Sequence, residues 1–292
     1  LKNRLVEKES FYAVCEEYGL DYPKTYIYNK GDQTRDFGFM YPVIVKASDS
    51  ISFFQNPFEG MNKAYVAHSE EEFNQIISDV YSHGYEKSMI IQDFIPGEDD
   101  HMRVLTCYSD QNAKVKMMCL GHVLLEEHTP KGIGNHAAII TEYEEELMEK
   151  YKTFLEKIGY VGFSNFDIKY DDRDGKFKVF EINLRQGRSN FYVTSSGNNI
   201  ARYVVEDKIY NKEMDLKIQK DPFYWHVPNS VVYDFVKDKS LVKRCKDLVA
   251  QGKSASSFGY DYDLRGNFKR RLYLFLYGLN QKKKFNKYCK KY

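Results

Sequence analysis

The sequence has no long apolar run and no paired cysteine motif. Its apolar stretches are a few residues long, far short of the roughly 20 residues that a membrane-spanning helix needs. Residues 1–10 are charged and have no apolar core, so no signal peptide is expected. The five cysteines are scattered, without a CxxC pair or a Cys/His cluster at zinc spacing. A reduced, cytoplasmic protein is therefore expected.

An excess of charge of one sign is also missing. Lys+Arg 43 against Asp+Glu 42 gives a formal net charge of +1, which argues against a general nucleic-acid binder. The balance is uneven, because residues 253–292 hold 11 basic and 2 acidic residues, a net +9, and residues 1–252 carry −8. Such a basic end is most often a solvated helical face. It also suits an anionic partner, either a nucleotide-linked precursor or the inner membrane surface.

The order of predicted elements indicates an α+β chain with antiparallel hairpins. A helix is predicted over Lys2–Tyr18, ended by Gly19, and capping boxes that start at Ser69 and Thr141 predict the beginnings of two more helices. Strands are predicted at 41–46, 62–67, 88–94, 103–108, 113–120, 163–170 and 176–182. Residues 229–292 are predicted to be mostly helical.

The most informative segment is the hairpin of residues 165–188. Glu181 and Asn183 share a parity, so their side chains share a face of the strand. If the loop is residues 173–175, Asp167 lies opposite Glu181, and two carboxylates and an amide oxygen converge as hard-oxygen ligands for Mg²⁺. A one-residue slip in register would destroy this arrangement. The alternative is a solvated hairpin face that carries an Asp and a Glu by chance.

These residues carry a resemblance to a known family. FDIKY followed by FEINLRQGRSN resembles the metal-binding end of the ATP-grasp superfamily. Other family segments are found in the family's order: a lysine before the first helix (Lys8), PVIVKASDS, the hinge segment IIQDFIPGEDD, and the Gly-led helix GNNIARYVV. The resemblance covers about residues 5–210. It implies an ATP-grasp fold, in which two α+β subdomains with antiparallel sheets grip ATP, plus a C-terminal helical extension.

The resemblance also implies a division of the chain. We expect a leading helix in 1–22, a small subdomain in 23–95, a large subdomain with the metal site in 96–220, and a helical basic extension in 221–292. ATP-grasp ligases commonly have a further domain before the first helix, to which no segment of these residues corresponds.

ATP and Mg²⁺ are the implied cofactors. The metal ligands would be Asp167, Glu181 and Asn183. Arg185 and Arg188 would stabilise the transferring phosphoryl group, although a salt bridge is an alternative role for Arg188. The implied nucleotide-binding residues are Lys8, Lys46, Ser48, Ser50, Gln92, Asp93, Phe94, Ile95 and Asp99.

Their implied roles differ. The two lysines would meet phosphate, and backbone groups at Gln92 and Ile95 would read the adenine edge. Asp99 is favoured over Glu98 and Asp100 for the ribose hydroxyls. The serines stand where the family usually has a glycine-rich phosphate loop.

The implied reaction is an ATP-dependent ligation that forms an amide carbon–nitrogen bond through an acyl phosphate. MRVLTCY, GHVLLEEHTPKGIGN and GYDYDLRGNFKRRLYLFLYG are similar to the carboxylate–amine ligase branch that includes D-aspartate ligases, which add D-aspartate to a peptidoglycan precursor. Residues 121–140 would then line a substrate site, with candidates Glu126, Glu127, His128 and Lys131. Two alternatives are a biotin-carboxylase-like carboxylating enzyme and a nucleotide-binding module without turnover.

Overall fold

The computed structural model describes residues 2–33, 36–129, 132, 134–257 and 264–289. The chain divides into two compact units. The first contains residues 1–96 and 169–182, and the second contains residues 97–168 and 183–292. The division therefore passes through both strands of the hairpin that the sequence singled out. The four functional segments expected from the sequence remain a prediction.

The first unit begins with two helices where one was predicted. These are α1 (Lys2–Val6) and α2 (Lys8–Tyr18), separated by Glu7, whose backbone is extended at φ −77° and ψ 122°. The predicted stop is confirmed, because Gly19 lies in the left-handed region at φ 72°. Glycine adopts this conformation without a Cβ clash and commonly ends helices for that reason.

A four-stranded antiparallel sheet forms the centre of the first unit, in the order β1-β4-β2-β3. Its strands are β1 (Thr25–Tyr28), β2 (Val43–Ala47), β3 (Tyr65–Ala67) and β4 (Met89–Asp93). Two helices accompany it, α3 (Ser50–Phe53) and α4 (Glu70–Ser82). The cap predicted for α4 is confirmed, since Ser69 accepts the Glu72 N–H at 3.3 Å. The apolar face of α4 packs in one core with Val43 and Val45.

The strands that follow belong to an eight-stranded sheet with the order β12-β11-β7-β6-β5-β8-β9, to which β10 adds beside β6. They are β5 (Met102–Ser109), β6 (Val115–Glu126), β7 (His136–Glu142), β8 (Gly162–Asp171), β9 (Lys176–Asn183), β10 (Lys217–Ile218), β11 (Tyr224–His226) and β12 (Ser254–Ser256). The antiparallel β5–β6 and β6–β7 pairs put the centre of β6 in the buried core.

Six helices of the second unit are described. They are α5 (Glu145–Lys157), α6 (Phe191–Ser195), α7 (Ile200–Lys208), α8 (Asn229–Phe235), α9 (Lys239–Ala250) and α10 (Phe268–Tyr288). A single 3₁₀ turn, Asp99–His101, precedes β5. The predicted helical C-terminal extension is present. None of the helices described is both long enough and apolar enough to cross a bilayer.

The capping box predicted at Thr141 is wrong. Thr141 is a buried residue of β7, and its hydroxyl donates to the Asp221 carbonyl at 2.8 Å and accepts the Phe223 N–H at 2.8 Å. Helix α5 begins after Glu144, whose side chain makes no capping bond. The Thr141 hydroxyl, which the local pattern assigned to a helix cap, instead forms hydrogen bonds with backbone groups about 80 residues away along the chain.

Candidate active site

The two predicted nucleotide lysines lie together in the first unit. Lys8 is the first residue of α2, and Lys46 lies in β2. Burial lowers the pKa of Lys46 to about 7, helped by the positive charge of Lys8 and opposed by the Glu181 carboxylate. Burial also lowers the pKa of Lys8, and Glu181 again opposes the shift. The lysines are thus two partly buried cations that repel one another, as expected where an anion is to be bound.

Lys63 is a third cation of this group that the sequence did not assign. Its charge lowers the pKa of both Lys8 and Lys46. It lies shortly before β3, in the segment that replaces a glycine-rich loop. The sequence showed that this segment lacks the glycine-rich loop of the family. It did not show that Lys63 would lie close enough to Lys8 and Lys46 to affect their pKa values.

Tyr12 links the lysines to the rest of the first unit. The hydroxyl of Tyr12 donates to the Phe180 carbonyl at 2.9 Å and accepts from Lys46 Nζ at 3.2 Å. Its ring stacks on Tyr22 with centroids 5.4 Å apart. Because Tyr12 follows Lys8 by four residues, the two side chains share a face of α2. That spacing is a signal that sequence reasoning could have used.

The hinge segment lies on and just after the central strand β4. Gln92 pairs with Thr25 on one side and Ile44 on the other, and its buried side-chain amide donates to the Thr25 hydroxyl at 2.8 Å. The Ile95 carbonyl accepts from Lys169 Nζ at 2.9 Å, and the same nitrogen lies 5.8 Å from the centre of the Phe94 ring. Lys169 thus holds the backbone that was predicted to meet adenine.

Asp93, the remaining hinge residue, belongs to an ion-pair network that the sequence did not reveal. Arg173 donates to both Asp93 carboxylate oxygens, at 3.0 and 2.6 Å. It also donates to Asp171, which accepts from Lys178 at 2.6 Å. Hydrogen bonds from Arg173 and Lys178 hold the pKa of the buried Asp171 carboxyl well below its usual range. The sequence indicated only a hairpin loop at residues 173–175, yet Arg173 ties the hinge to the hairpin within the first unit.

The serines in place of the phosphate loop are already engaged. Ser48 lies within hydrogen-bond distance of Tyr85 at 3.3 Å and accepts from Ser88 at 3.0 Å. Ser50 begins α3. The Asp49 carboxylate accepts the N–H groups of Ile51 and Ser52 and forms an ion pair with Lys87. Two backbone donors that a phosphate-binding loop would present are therefore satisfied by the protein itself. The phosphate role of Ser48 and Ser50 remains a prediction.

Two of the predicted metal ligands meet in the second unit. Asn183 Nδ2 donates to Asp167 Oδ2 at 3.2 Å, so an amide and a carboxylate, two side chains that carry hard oxygen atoms, lie side by side. The predicted third ligand, Glu181, belongs to the first unit, where its negative charge raises the pKa of Lys8 and of Lys46. The register that would set Asp167 opposite Glu181 remains a prediction.

The chemistry of these donors fits Mg²⁺. No group of three His, Cys, Asp or Glu side chains is arranged to hold a metal ion within the described ranges. Mg²⁺ is usually held by only one or two carboxylates, with waters and substrate phosphates completing its shell. A carboxylate beside a side-chain amide therefore matches magnesium better than it matches a metal that needs a closed protein cage.

Arg185 and Arg188 lie in the segment after β9 with exposed side chains. Arg185 Nη1 donates to the Gln186 carbonyl at 3.0 Å. The segment is anchored by Gly187, whose carbonyl accepts the Asn190 N–H at 3.2 Å. Exposed guanidinium groups on a fixed backbone are suited to bind a ligand's phosphate or carboxylate.

The predicted ribose ligand, Asp99, faces the segment predicted to bind substrate. Its carboxylate accepts the Glu126 N–H at 2.8 Å and lies 2.8 Å from His128 Nε2. The hydrogen bond to Asp99 raises the pKa of His128.

The neighbouring acids Glu98 and Asp100 also have partners, since Glu98 lies 3.6 Å from Lys237 and Asp100 lies 2.9 Å from His101. Lys131, and residues 259–263 of the late similar segment, lie outside the described residues.

A polar cluster on β5, β6 and β7 went unnoticed in the sequence. Arg103 pairs with Glu142, and His122 Nε2 lies 2.7 Å from the Asp100 carbonyl. On the same strands, His136 Nδ1 lies 3.2 Å from the Ser189 hydroxyl. Burial lowers the pKa of His122 and of His136 to about 4, so both imidazoles are neutral near pH 7. The polar residues Lys116, His122 and Glu126 within the otherwise largely apolar β6 were the available signal.

Comparison with known proteins adds to this geometry. No protein-family model matches the chain. The chain is 42% identical over 274 residues to D-aspartate ligase from Enterococcus faecium (strain Aus0004), which covers 90% of this chain and 65% of that protein. The chain thus spans slightly less than two thirds of this relative's length.

Solved structures show the same fold at low sequence identity. The biotin carboxylase domain of the Hydrogenobacter thermophilus 2-oxoglutarate carboxylase, in complex with MgADP, matches with a TM-score of 0.57 at 14% identity, over 76% of this chain and 49% of that one. Phosphoribosylamine–glycine ligase from Thermotoga maritima matches with a TM-score of 0.52 at 15% identity, over 76% and 57%. The expected fold class is confirmed. Because one neighbour is a carboxylase and the other a ligase, the fold does not select the reaction.

Proposed function

We propose that this chain belongs to the ATP-grasp superfamily and is the catalytic part of an ATP-dependent carboxylate–amine ligase that forms an amide bond. The observation that carries the proposal is its identity of 42% to D-aspartate ligase across 90% of the chain. Identity of that extent favours a ligase over a carboxylating enzyme, which is supported only by structural likeness at 14% identity. A module without turnover is the less favoured alternative, because Asp167 and Asn183, which a hydrogen bond of 3.2 Å joins, are proposed to bind the catalytic metal.

Lys8 and Lys46 are the proposed partners of the nucleotide phosphates. Removing a cation from water is costly unless an opposite charge compensates. Here Glu181 compensates in part, and a polyphosphate would do so more completely. Lys46 is held by Tyr12, so its ammonium is positioned before the ligand arrives. ATP would supply the phosphoryl group that activates a substrate carboxylate as an acyl phosphate.

Asp167, Glu181 and Asn183 are the proposed ligands of Mg²⁺, which would neutralise charge on the transferred phosphoryl group. Arg185 and Arg188 would act on the same charge from exposed positions in the segment after β9. The protein's contribution is then positioning and charge neutralisation, which suits a reaction in which the amine itself attacks the activated carboxyl carbon.

D-aspartate is the proposed carboxylate substrate, and the lysine side chain of a peptidoglycan precursor is the proposed amine acceptor. This choice of substrates is supported by the identity of 42% to D-aspartate ligase from Enterococcus faecium. The segment of residues 121–140 is the proposed substrate wall, because Glu126 and His128 both bind the carboxylate of Asp99. A cytoplasmic location and peripheral membrane contact through the basic C-terminal segment complete the proposal.

ADP release tests the reaction directly. The purified chain is supplied with Mg-ATP, D-aspartate and a lysine-containing peptidoglycan precursor, and parallel reactions contain L-aspartate, D-glutamate or bicarbonate. The proposal expects ADP release and a new amide product only when D-aspartate and the precursor are both present. ADP release that depends on bicarbonate, and not on an amine, would overturn it in favour of carboxylation.

A further inference from the structure

Helix α10 has two apolar faces, and among the residues that the structure describes only one of these faces packs against the protein. Gln281 and Phe285 are buried, and the Phe285 ring packs on Phe235 of α8 at 5.5 Å between centroids. Phe285 belongs to the large hydrophobic core of the second unit. This inner face fixes how the helix lies on its unit and therefore which residues point away.

The second face, here called the outer stripe, points into solvent. Its members are Phe268, Leu272, Phe275, Leu276 and Leu279, with exposed fractions of 76%, 48%, 63%, 54% and 52%. At about 100° per residue, these five positions fall within an arc of about 100° on the side away from Phe285. Five large apolar side chains aligned on one face are more than the scattered exposed residues of an ordinary surface.

The charges of the helix favour one occupant for this stripe. The 21 residues of α10 contain seven basic residues and no acidic one: Lys269, Arg270, Arg271, Lys282, Lys283, Lys284 and Lys287. On the same projection, Arg271 and Lys282 flank one edge of the stripe, Lys269 and Lys287 flank the other, and Lys283 lies between Leu272 and Leu276. An apolar stripe bordered by cations on both edges is the pattern of a helix that lies in the plane of an anionic membrane surface.

We propose that the outer stripe of α10 docks the protein onto an anionic lipid surface. The stripe enters the boundary between headgroups and acyl chains, and the flanking lysines and arginines contact lipid phosphates. A second copy of the chain fits less well, because two helices with seven cations and no acid each would face one another. This inference specifies the membrane contact named under the proposed function and is independent of the ligase reaction.

Binding of the full chain to vesicles tests the proposal. Vesicles of phosphatidylcholine mixed with phosphatidylglycerol should bind the chain, and vesicles of phosphatidylcholine alone should bind it at least about tenfold more weakly. The double variant Phe275→Ser/Leu279→Ser keeps every charge and should lose at least about tenfold in affinity for the anionic vesicles. Its matched control is Ile209→Ser/Tyr210→Ser, an exposed apolar pair outside the helix (66% and 71%), which should bind as the parent does.

Three outcomes would overturn the proposal. They are no preference for anionic vesicles, equal loss of binding in both double variants, and a lipid-free dimer that Phe275→Ser/Leu279→Ser dissociates in analytical ultracentrifugation. Circular dichroism of the double variant shows whether α10 is still folded. If it is not, Lys283→Gln/Lys284→Gln replaces it, and the expected loss is the preference for anionic over neutral lipid. ADP release is measured separately, so failure of docking and failure of the ligase assignment give different results.

Discussion

The ammonium of Lys46 donates to the hydroxyl of Tyr12 over 3.2 Å, inside a part of the first unit where burial lowers the pKa of that lysine to about 7. A hydroxyl can orient an ammonium but cannot neutralise it. Lys46 is therefore positioned and only partly compensated, and the binding of an anion should shift its protonation.

The first prediction concerns proton uptake on nucleotide binding. Phosphate oxygens beside Lys46 should raise its pKa from about 7 toward the ordinary value near 10.4, so ATP binding near pH 8 takes up a proton. Calorimetry in two buffers with different ionisation enthalpies measures that uptake. Lys46→Met should abolish most of it and weaken ATP binding about tenfold or more.

The matched control for this experiment is Lys30→Met. Lys30 is an exposed lysine of the same unit that pairs with Glu86 at 2.6 Å. It should leave both proton uptake and ATP affinity unchanged. If Lys46→Met takes up as many protons as the parent, Lys46 is not the titrating group and its assignment to the nucleotide fails.

The second prediction concerns the metal ligands. Asp167→Asn and Glu181→Gln each preserve size and remove a negative charge, so each should slow ADP release about a hundredfold or more without lowering the melting temperature. ADP release is followed in the presence of both substrates, and thermal unfolding is measured on the same samples. Normal turnover by the double variant would show that these carboxylates do not bind the catalytic metal.

Local patterns predicted those parts of the fold that depend on neighbours in sequence. The left-handed Gly19 and the Ser69 cap of α4 involve contacts within four residues. The Thr141 hydroxyl was misassigned because its partners, Asp221 and Phe223, lie about 80 residues away. The same limit explains why Lys63 was not assigned to a site. Its effect on Lys46 exists only after β2 and β3 have paired.

In the candidate site too, local sequence patterns predicted some contacts and could not predict others. The alternation along β9 singled out Asn183 as a ligand, and the structure joins it to Asp167 at 3.2 Å. Alternation along a strand could not show that Arg173 would pair with Asp93, because residues in a turn do not follow the regular side-chain spacing of a strand or helix. The ordered segments of a family supplied the remaining assignments, and those await experiment.

The third prediction concerns the stability of the first unit. Asp171 is fully buried and accepts hydrogen bonds from Arg173 and Lys178. Asp171→Asn would leave the mostly buried Lys178 with its remaining partner Asp174 at 2.9 Å, which is 41% exposed. We expect a loss of about 3 kcal/mol in the free energy of unfolding at pH 7, measured by urea denaturation.

The pH dependence of this effect has a definite sign. Because hydrogen bonds from Arg173 and Lys178 lower the pKa of Asp171 in the folded chain, its contribution is fully present above the unfolded value near 3.9. The contribution decreases as the pH falls below that value. The difference between the parent and Asp171→Asn should therefore shrink in acid. Glu59→Gln, an exposed carboxylate of the same unit, should change little at either pH, and an equal loss in both variants would contradict the network's role.

The fourth prediction concerns the backbone that carries the two arginines. A Cβ on Gly187 would lie 2.8 Å from Asn190 Oδ1 and 3.1 Å from Asn165 Oδ1, so Gly187→Ala must push the segment away from this buried pair of amides. Arg185 and Arg188 move with that backbone, and small misplacements of positioning groups are costly for catalysis. We expect the kcat for ADP release to fall about tenfold or more, with ATP affinity close to the parent's, because the proposed nucleotide lysines lie in the first unit.

The control for this substitution is Gly278→Ala, where the new methyl group would meet its nearest neighbour, Pro228, at 3.5 Å, an ordinary contact distance. That variant should keep the parent's kcat and gain slightly in helix stability, because alanine is favoured over glycine within α10. Thermal unfolding separates the two effects at Gly187. A fall in kcat with an unchanged melting temperature indicates a displaced catalytic segment, whereas a large fall in melting temperature with normal kcat would show that the close packing of Gly187 serves only the core.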